Sequence, residues 1–150
     1  MTTIRRHPVK VLIVDDSAEF LAAASAWVVG DPALHLVGTA RDGEEAITAA
    51  ASASPDLVLM DAFMPRMDGF EATQTLKSWP GAPLVVIVSL TDGAEMEREA
   101  RRAGADGFLA KVDFATKLPG LLRDLFGMER EASGPGAAPG APGPKPTERP

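Results

Sequence analysis

The chain has 150 residues, 45% hydrophobic and 24% charged, with 15 Lys and Arg against 21 Asp and Glu for a formal net charge of -6. That is the length of one domain and the composition of an ordinary globular one, which sets aside collagen-like, coiled-coil and wholly disordered classes; the acidity disfavours an extended nucleic-acid or anionic-membrane surface. With no cysteine there is no disulfide framework, thiolate metal site or cysteine nucleophile.

Short β-branched runs alternate with helical stretches along the chain. Val9 to Val14 predicts a first strand, apolar on both faces as buried parallel strands are. Ser17 to Val29 follows as a helix, with Phe20, Leu21, Ala24, Trp27 and Val28 at helical spacing and a stop at Gly30. The pattern repeats as a strand at Leu34 to Val37 and a helix at Glu44 to Ala53, then a strand at Leu57 to Met60 and a helix at Gly69 to Ser78, closed by Trp79-Pro80-Gly81. A strand at Leu84 to Val88 leads to a helix at Ala94 to Ala103 that stops at Gly104. The last strand is Gly107 to Ala110, and the last helix, Thr116 to Phe126, carries Leu118, Leu121, Leu122, Leu125 and Phe126 on one face before Gly127. Three helix starts have Asp followed three residues later by Glu, in the manner of a capping box: Asp42 with Glu45, Asp68 with Glu71, and Asp92 with Glu95.

Strict strand-helix alternation with short turns predicts an α/β domain over residues 8–127, a doubly wound five-stranded parallel sheet with five helices. Residues 1–7 read as an N-terminal extension and 128–150 as a Pro/Gly-rich disordered tail or linker, since Gly134 to Pro150 hold six Pro, four Gly and no large apolar residue. Acidic and basic residues balance beyond Met128, so the acidity belongs to the domain.

In such folds ligands bind outside the carboxyl ends of the strands, where strand order reverses. The first strand ends in Asp15-Asp16, the third in Asp61, the fourth in Ser89 and the fifth in Lys111. In the common order 2-1-3-4-5 these four strands are neighbours about 4.8 Å apart, and Asp15, Asp16 and Asp61 meet in one pocket flanked by Ser89 and Lys111. Carboxylates about 5 Å apart repel by roughly 3 kcal/mol per pair at an effective dielectric near 20. Lys111 offsets one charge; a hard divalent cation, Mg2+ with Mn2+ as an alternative, takes the others and leaves room for phosphate oxygens. A carboxylate beside a metal and a lysine is equipped to attack a phosphoryl group and carry it as an aspartyl-phosphate, with Lys111 and the Ser89 hydroxyl stabilising the transferring oxygens.

The segments V-L-I-V-D-D (Val11 to Asp16), L-V-L-M-D-A-F-M-P-R-M-D-G-F-E (Leu57 to Glu71), V-V-I-V-S (Val85 to Ser89) and A-G-A-D-G-F-L-A-K (Ala103 to Lys111) stand in the order and spacing of a known family. Jointly the chain resembles the receiver domain of two-component response regulators, chemotaxis-regulator-like, with the last segment closest in look to receivers that precede helix-turn-helix output domains. The resemblance covers essentially the whole domain and implies the flavodoxin-like fold with strand order 2-1-3-4-5. It implies that Asp61 accepts the phosphoryl group, that Asp15, Asp16 and Asp61 hold the magnesium with the backbone carbonyl of Phe63, that Ser89 and Lys111 bind the phosphoryl oxygens, and that Phe108 is the aromatic switch position. Val112 stands where many members have Pro, Leu90 where a small residue is usual and where it narrows access to Asp61, and Phe63 and Thr91 occupy positions that tune dephosphorylation.

Taken singly, these residues have plainer readings. Asp15 and Asp16 would solvate a strand end or, with Glu19, cap the first helix; Lys111 would be a surface charge, Ser89 a turn residue and Phe108 core. Trp27, Trp79, Met60 and Met64 read as packing. His7 and His35 lie away from the acidic edge, which leaves a Ser-His-Asp triad or histidine metal site unsupported. Arg98, Arg101 and Arg102 alternate with Glu95, Glu97 and Glu99 as a salt-bridged solvated face. Only the constellation favours chemistry.

The expected function is a phosphorylation-controlled signalling switch that receives its phosphoryl group from a sensor histidine kinase or phosphotransfer protein. Its output partner docks on the face of the fourth helix, fifth strand and fifth helix, and homodimerisation stays open. Alternatives are the receiver portion of a DNA-binding transcriptional regulator whose output domain is absent here, or a phosphorylation-independent binding module. An aspartate-based phosphohydrolase commonly needs a second acid two residues after its nucleophile, where Phe63 stands, so catalysis is expected to extend no further than the domain's own phosphotransfer and autodephosphorylation. No phosphate-cradling G-x-G-x-x-G or G-x-x-x-x-G-K stretch follows the first strand. No apolar run approaches the roughly 20 residues of a membrane span, Val11 to Val14 is too short for a signal peptide, and a cytoplasmic location without direct nucleic-acid or membrane binding is expected.

Overall fold

The computed structural model describes residues 7–127; the tail and all but His7 of the N-terminal extension lie outside the described residues. The alternating pattern resolves into β1 (Val9–Val14), α1 (Ala18–Val29), β2 (Leu34–Ala40), α2 (Gly43–Ala53), β3 (Leu57–Asp61), α3 (Gly69–Lys77), β4 (Leu84–Ser89), α4 (Ala94–Arg102), β5 (Gly107–Ala110) and α5 (Phe114–Phe126). The strands form one sheet in the order β2-β1-β3-β4-β5, with every adjacent pair parallel. This is the flavodoxin-like arrangement expected from the sequence. No described helix is long and apolar enough to cross a membrane.

The continuous apolar runs of β1, β3 and β4 serve two cores, because successive side chains point to opposite faces. Val11, Ile13, Leu59, Val86 and Val88 pack beneath α1 and α5 with Leu21, Val28, Phe114, Leu118 and Leu122. Leu12, Val14, Val58, Met60, Val85 and Ile87 face α2, α3 and α4 through Ala46, Ala50, Ala72, Leu76 and Ala100. Each fully buried Val, Leu, Ile or Met contributes about 1.5–3 kcal/mol, so this two-sided burial, rather than helix propensity, dominates the stability of the layers. The small Ala side chains on α2 and α3 let those helices lie close to the sheet.

Two elements outrun their sequence signals. Gly38 suggests that β2 ends at Val37, yet the strand continues to Ala40, which pairs with Val14 after a register shift between Val11 and Leu12. Pairing along the full length of β1 outweighs the weak local propensity of Gly38-Thr39-Ala40. The last helix starts at Phe114 rather than Thr116, after a single 3-10 turn at Lys111–Asp113, because Phe114 is buried among the aromatic side chains of α1.

Helix starts sort the capping expectations. Asp42 accepts a hydrogen bond from the Glu45 backbone N–H at 2.8 Å, and the Glu45 carboxylate accepts one from the Arg41 backbone N–H at 2.6 Å. Asp68 accepts from the Glu71 N–H at 2.9 Å. At α1 the cap is Ser17, accepting from the Phe20 N–H at 3.2 Å, which leaves Asp16 out of that role. The expectation for Asp92 fails: α4 is capped by Gly93 at φ 124°, with no side-chain cap bond. The glycine's left-handed backbone moves the helix start one residue past Asp92, so the Asp-to-Glu spacing no longer spans the first turn. Replacing Asp68 by Ala is expected to cost about 1 kcal/mol, and Asp92→Ala less than about 0.5 kcal/mol, as read from urea midpoints at unchanged slope.

Candidate functional site

Parallel strands bring all their carboxyl ends to one edge, and each of four strands leaves a polar side chain there. Asp15 follows β1, its N–H donating to the Ala40 carbonyl at 3.0 Å. Asp61 ends β3 opposite Val88, and Ser89 ends β4 opposite Ala110, the residue before Lys111. Carboxylate oxygens of Asp15, Asp16 and Asp61 lie within 4.8 Å of one another. Asp15, Asp61 and Ser89 are buried, while Asp16 is exposed. The structure thus brings together all five residues that the sequence places at this edge.

The loop behind Asp61 is tightly built. Gly69 donates its N–H to the Ala62 carbonyl at 2.9 Å, and a Cβ at residue 69 would stand 1.9 Å from the Asp61 carbonyl oxygen. Only glycine permits that approach of α3 to the end of β3. Asp42, whose carboxyl the Glu45 N–H holds below its ordinary pKa, also pairs with Arg66, a residue with φ of 67° in the β3–α3 connection. Gly43 donates to the Met67 carbonyl at 3.1 Å, so the start of α2 braces the same connection.

Around the acids the polar contacts are unevenly shared. Asp15 Oδ1 accepts from the Ser17 N–H at 2.8 Å. Lys111 Nζ lies 2.8 Å from Asp15 Oδ2 and 3.6 Å from Asp61 Oδ1, yet its approach to Oδ2 is off the hydrogen-bond direction, and that buried oxygen has no hydrogen-bond donor. The Thr91 N–H donates to Ser89 Oγ at 3.1 Å, which leaves the Ser89 hydroxyl hydrogen available to an incoming oxygen. An Arg41 guanidinium N–H donates to the Asp16 carbonyl at 3.5 Å. Arg41 and Phe20, the latter beneath Lys111, are site neighbours that sequence reasoning missed: Phe20 is legible only as part of the apolar stripe of α1, and Arg41 as a charge near a turn.

The remaining expected residues sit at the rim. Phe63 is 57% exposed, Leu90 85% and Val112 87%, each one or two residues beyond a site residue. Leu90, at that exposure, projects to solvent rather than packing down over Asp61. Phe63 makes an edge contact with Phe70 at 5.7 Å. Thr91 is exposed, and Phe108 is half-buried against the core under α4. Trp27 and Trp79 pack against the two cores, and His35 and His7 are exposed. Arg101 and Arg102 pair with Glu97 and Glu99 on α4, as a solvated face should.

Burial pushes the Asp61 carboxyl up from 3.8 to about 7; the charge of Asp15 adds to the rise, Lys111 opposes it, and Asp16 raises it further. The donor set fits a hard cation: three carboxylates, one with an unbonded buried oxygen, and no soft ligand. Because the folded pKa lies above the unfolded one, the ionised Asp61 opposes folding, and the loss of stability is complete once pH has risen through about 7. In EDTA at about pH 8, Asp61→Asn is therefore expected to raise the melting temperature by a few degrees over wild type, and millimolar Mg2+ to narrow the gap by stabilising wild type. A variant that melts lower in EDTA would contradict this electrostatic reading.

Comparison with known proteins gives a consistent answer. The profile of the response regulator receiver domain matches residues 11–119. A protein-glutamate methylesterase/protein-glutamine glutaminase of Halalkalibacterium halodurans is 38% identical over 135 residues, covering 85% of this chain and 37% of its own. A second enzyme of that name, from Pseudomonas fluorescens, is 42% identical over 104 residues, covering 69% of this chain and 28% of its own. The chain thus spans about a third of the length of such curated relatives. Among solved structures, the receiver domain of the putative response regulator NarL from Mycobacterium tuberculosis superposes with a TM-score of 0.75 at 27% identity, covering 82% of this chain and 99% of that one. The response regulator domain of Thermotoga maritima CheB gives 0.73 at 29%, covering 82% and 99%. With the order β2-β1-β3-β4-β5 and the acids at its carboxyl edge, the chain belongs to the response regulator receiver domain family, the phosphorylatable switch of two-component systems.

Proposed function

We propose that Asp61 is the phosphoryl acceptor of this switch and that a sensor histidine kinase or phosphotransfer protein is its donor. The observation that carries the reading is the meeting of Asp15, Asp16 and Asp61 within 4.8 Å, with Lys111 3.6 Å from Asp61. An Asp61 carboxylate oxygen attacks the phosphorus of a phosphohistidine; the new P–O bond forms as the P–N bond breaks, and the imidazole leaves with a proton. Asp15, Asp16, Asp61 and the Phe63 carbonyl would hold Mg2+, or Mn2+ in its place, which when bound supplies positive charge for the phosphoryl oxygens. Lys111 stabilises the charge on those oxygens from the β5 side, and the Ser89 hydroxyl donates to them from β4. Uptake of the phosphoryl group therefore draws on contacts that differ between the two states, as a population shift requires.

The apolar rim of Phe63, Leu90 and Val112 suits a protein donor, and Phe63 with Thr91 tunes how readily water reaches the acyl phosphate. Phe108, half-buried between α4 and α5, carries the change to the α4–β5–α5 face, where the output partner docks or a second copy pairs. The domain acts in the cytoplasm, binds neither nucleic acid nor membrane, and performs no catalysis beyond its own phosphorylation and dephosphorylation. A second reading, favoured by the 38% identity to a methylesterase relative, is that this receiver governs an esterase output; an in-frame esterase segment in the gene beyond Pro150 would support it.

Incubation with acetyl phosphate and Mg2+ is expected to add one phosphoryl group by intact mass to the wild type and none to Asp61→Ala, with the gain lost in EDTA. Beryllofluoride with Mg2+ serves as the donor-independent control. Failure of both to perturb the protein would leave the phosphorylation-independent module as the reading.

A further inference from the structure

We infer that Phe20 is a positioning residue for Lys111, its ring face fixing the ammonium between the carboxylates of Asp15 and Asp61. The plain reading of Phe20 is one more apolar residue on α1. The geometry asks more of it. Lys111 Nζ stands 4.7 Å from the centre of the Phe20 ring, well inside the roughly 6 Å at which a cation is drawn to an aromatic face. The Lys111 side chain is only 10% exposed, so water competes weakly for the ammonium there.

The ring is itself held in orientation. Phe114 meets Phe20 edge-on at 5.4 Å and 85°, and Trp27 meets Phe114 at 5.6 Å and 74°, both within the preferred range for edge-to-face pairs. Phe114 is buried and Trp27 packs against the same core. The aromatic run from Trp27 through Phe114 to Phe20 thus anchors a platform in the body of the domain, with Lys111 resting on its outer end.

Why an ammonium needs this third contact follows from its partners. Asp15 Oδ2, at 2.8 Å, is close but badly directed for a hydrogen bond, and Asp61 Oδ1, at 3.6 Å, is beyond ordinary hydrogen-bond length. The two carboxylates hold the ammonium by charge, which is strong but weakly directional. The ring face adds a third contact that fixes its direction and does not depend on Asp15, so it persists when the proposed function engages Asp15 elsewhere. Lys111 then stays beside Asp61 rather than swinging to solvent. This consequence rests on the proposed function; the placement of Lys111 does not.

The test has one arm for each. In metal-free protein, with Lys111→Arg used for assignment, the ε-methylene protons of Lys111 are expected upfield of ordinary lysine values through the ring current of Phe20. The shift should persist in Phe20→Tyr and vanish in Phe20→Leu. Phe20→Met, which fills the site without a ring, replaces the Leu variant if that one folds poorly. In the second arm the phosphorylation rate constant from acetyl phosphate at saturating Mg2+ is expected to fall roughly three- to tenfold in the ring-less variants and to recover in Phe20→Tyr. A merely structural Phe20 would lower the melting temperature in the ring-less variants while leaving the phosphorylation rate constant unmoved. An ordinary Lys111 shift in the wild type, or an unchanged rate constant in the Leu or Met variant, overturns the inference. If the wild type takes up no phosphoryl group, the proposed function fails, and an ordinary Lys111 resonance in the wild type still overturns the contact with Phe20.

Discussion

Three carboxylates held within 4.8 Å at one end of a parallel sheet set the terms for everything around them. At an effective dielectric near 20 each close pair costs roughly 3 kcal/mol, and two of the three side chains are buried. Such a cluster persists only if the scaffold is stiff and if counter-charge is at hand. Stiffness comes from β1 and β3, whose side chains are buried on both faces of the sheet. Counter-charge comes from Lys111, delivered by the far strand of the same edge. The site is unstable by construction in its own charge, which a cation bound there would relieve.

The second requirement is that Asp61 not drift. The end of β3 is pinned by the near-contact of Gly69 with the Asp61 carbonyl and by the hydrogen bond from Gly69 to Ala62. The Asp42–Arg66 pair and the Gly43–Met67 bond tie the following connection to the start of α2. On the opposite flank Lys111 lies between two carboxylates and an aromatic ring. Asp61 is therefore fixed by backbone and Lys111 by side-chain packing, two different means with different tolerances to substitution.

Polar and apolar side chains share the same edge. Among the described residues, three of the four exposed large apolar side chains, Phe63, Leu90 and Val112, follow site residues directly or at one remove. The loops after β3, β4 and β5 thus offer a polar floor and an apolar rim. On the side face, α4 is held to the core through little more than Ala100, Met96 and Ala103, and Arg101 and Arg102 pair with Glu97 and Glu99 on the same helix. An element so lightly anchored can change its surface without disturbing the sheet.

The strands, the helices, the doubly wound class and the five polar residues at the carboxyl edge were legible in the sequence, because two-sided apolar runs and helical stripes are local signals and parallel connections leave few topologies. Asp15, Asp16, Asp61, Ser89 and Lys111 could be placed together since each ends a recognisable strand and the family resemblance implies the strand order. What was not legible depends on partners distant along the chain. β2 runs on through Gly38 because β1 pairs with it; α5 starts at Phe114 because α1 supplies aromatic neighbours; α4 forgoes Asp92 because Gly93 takes a left-handed backbone that no spacing rule announces. The unbonded oxygen of Asp15 and the ring of Phe20 under Lys111 likewise arise where α1, β5 and α5 meet. Sequence by itself determined which residues reach the edge of the sheet, since strand periodicity is local; only the tertiary structure decided which of them touch, since distances between strand ends are set by packing across the whole domain.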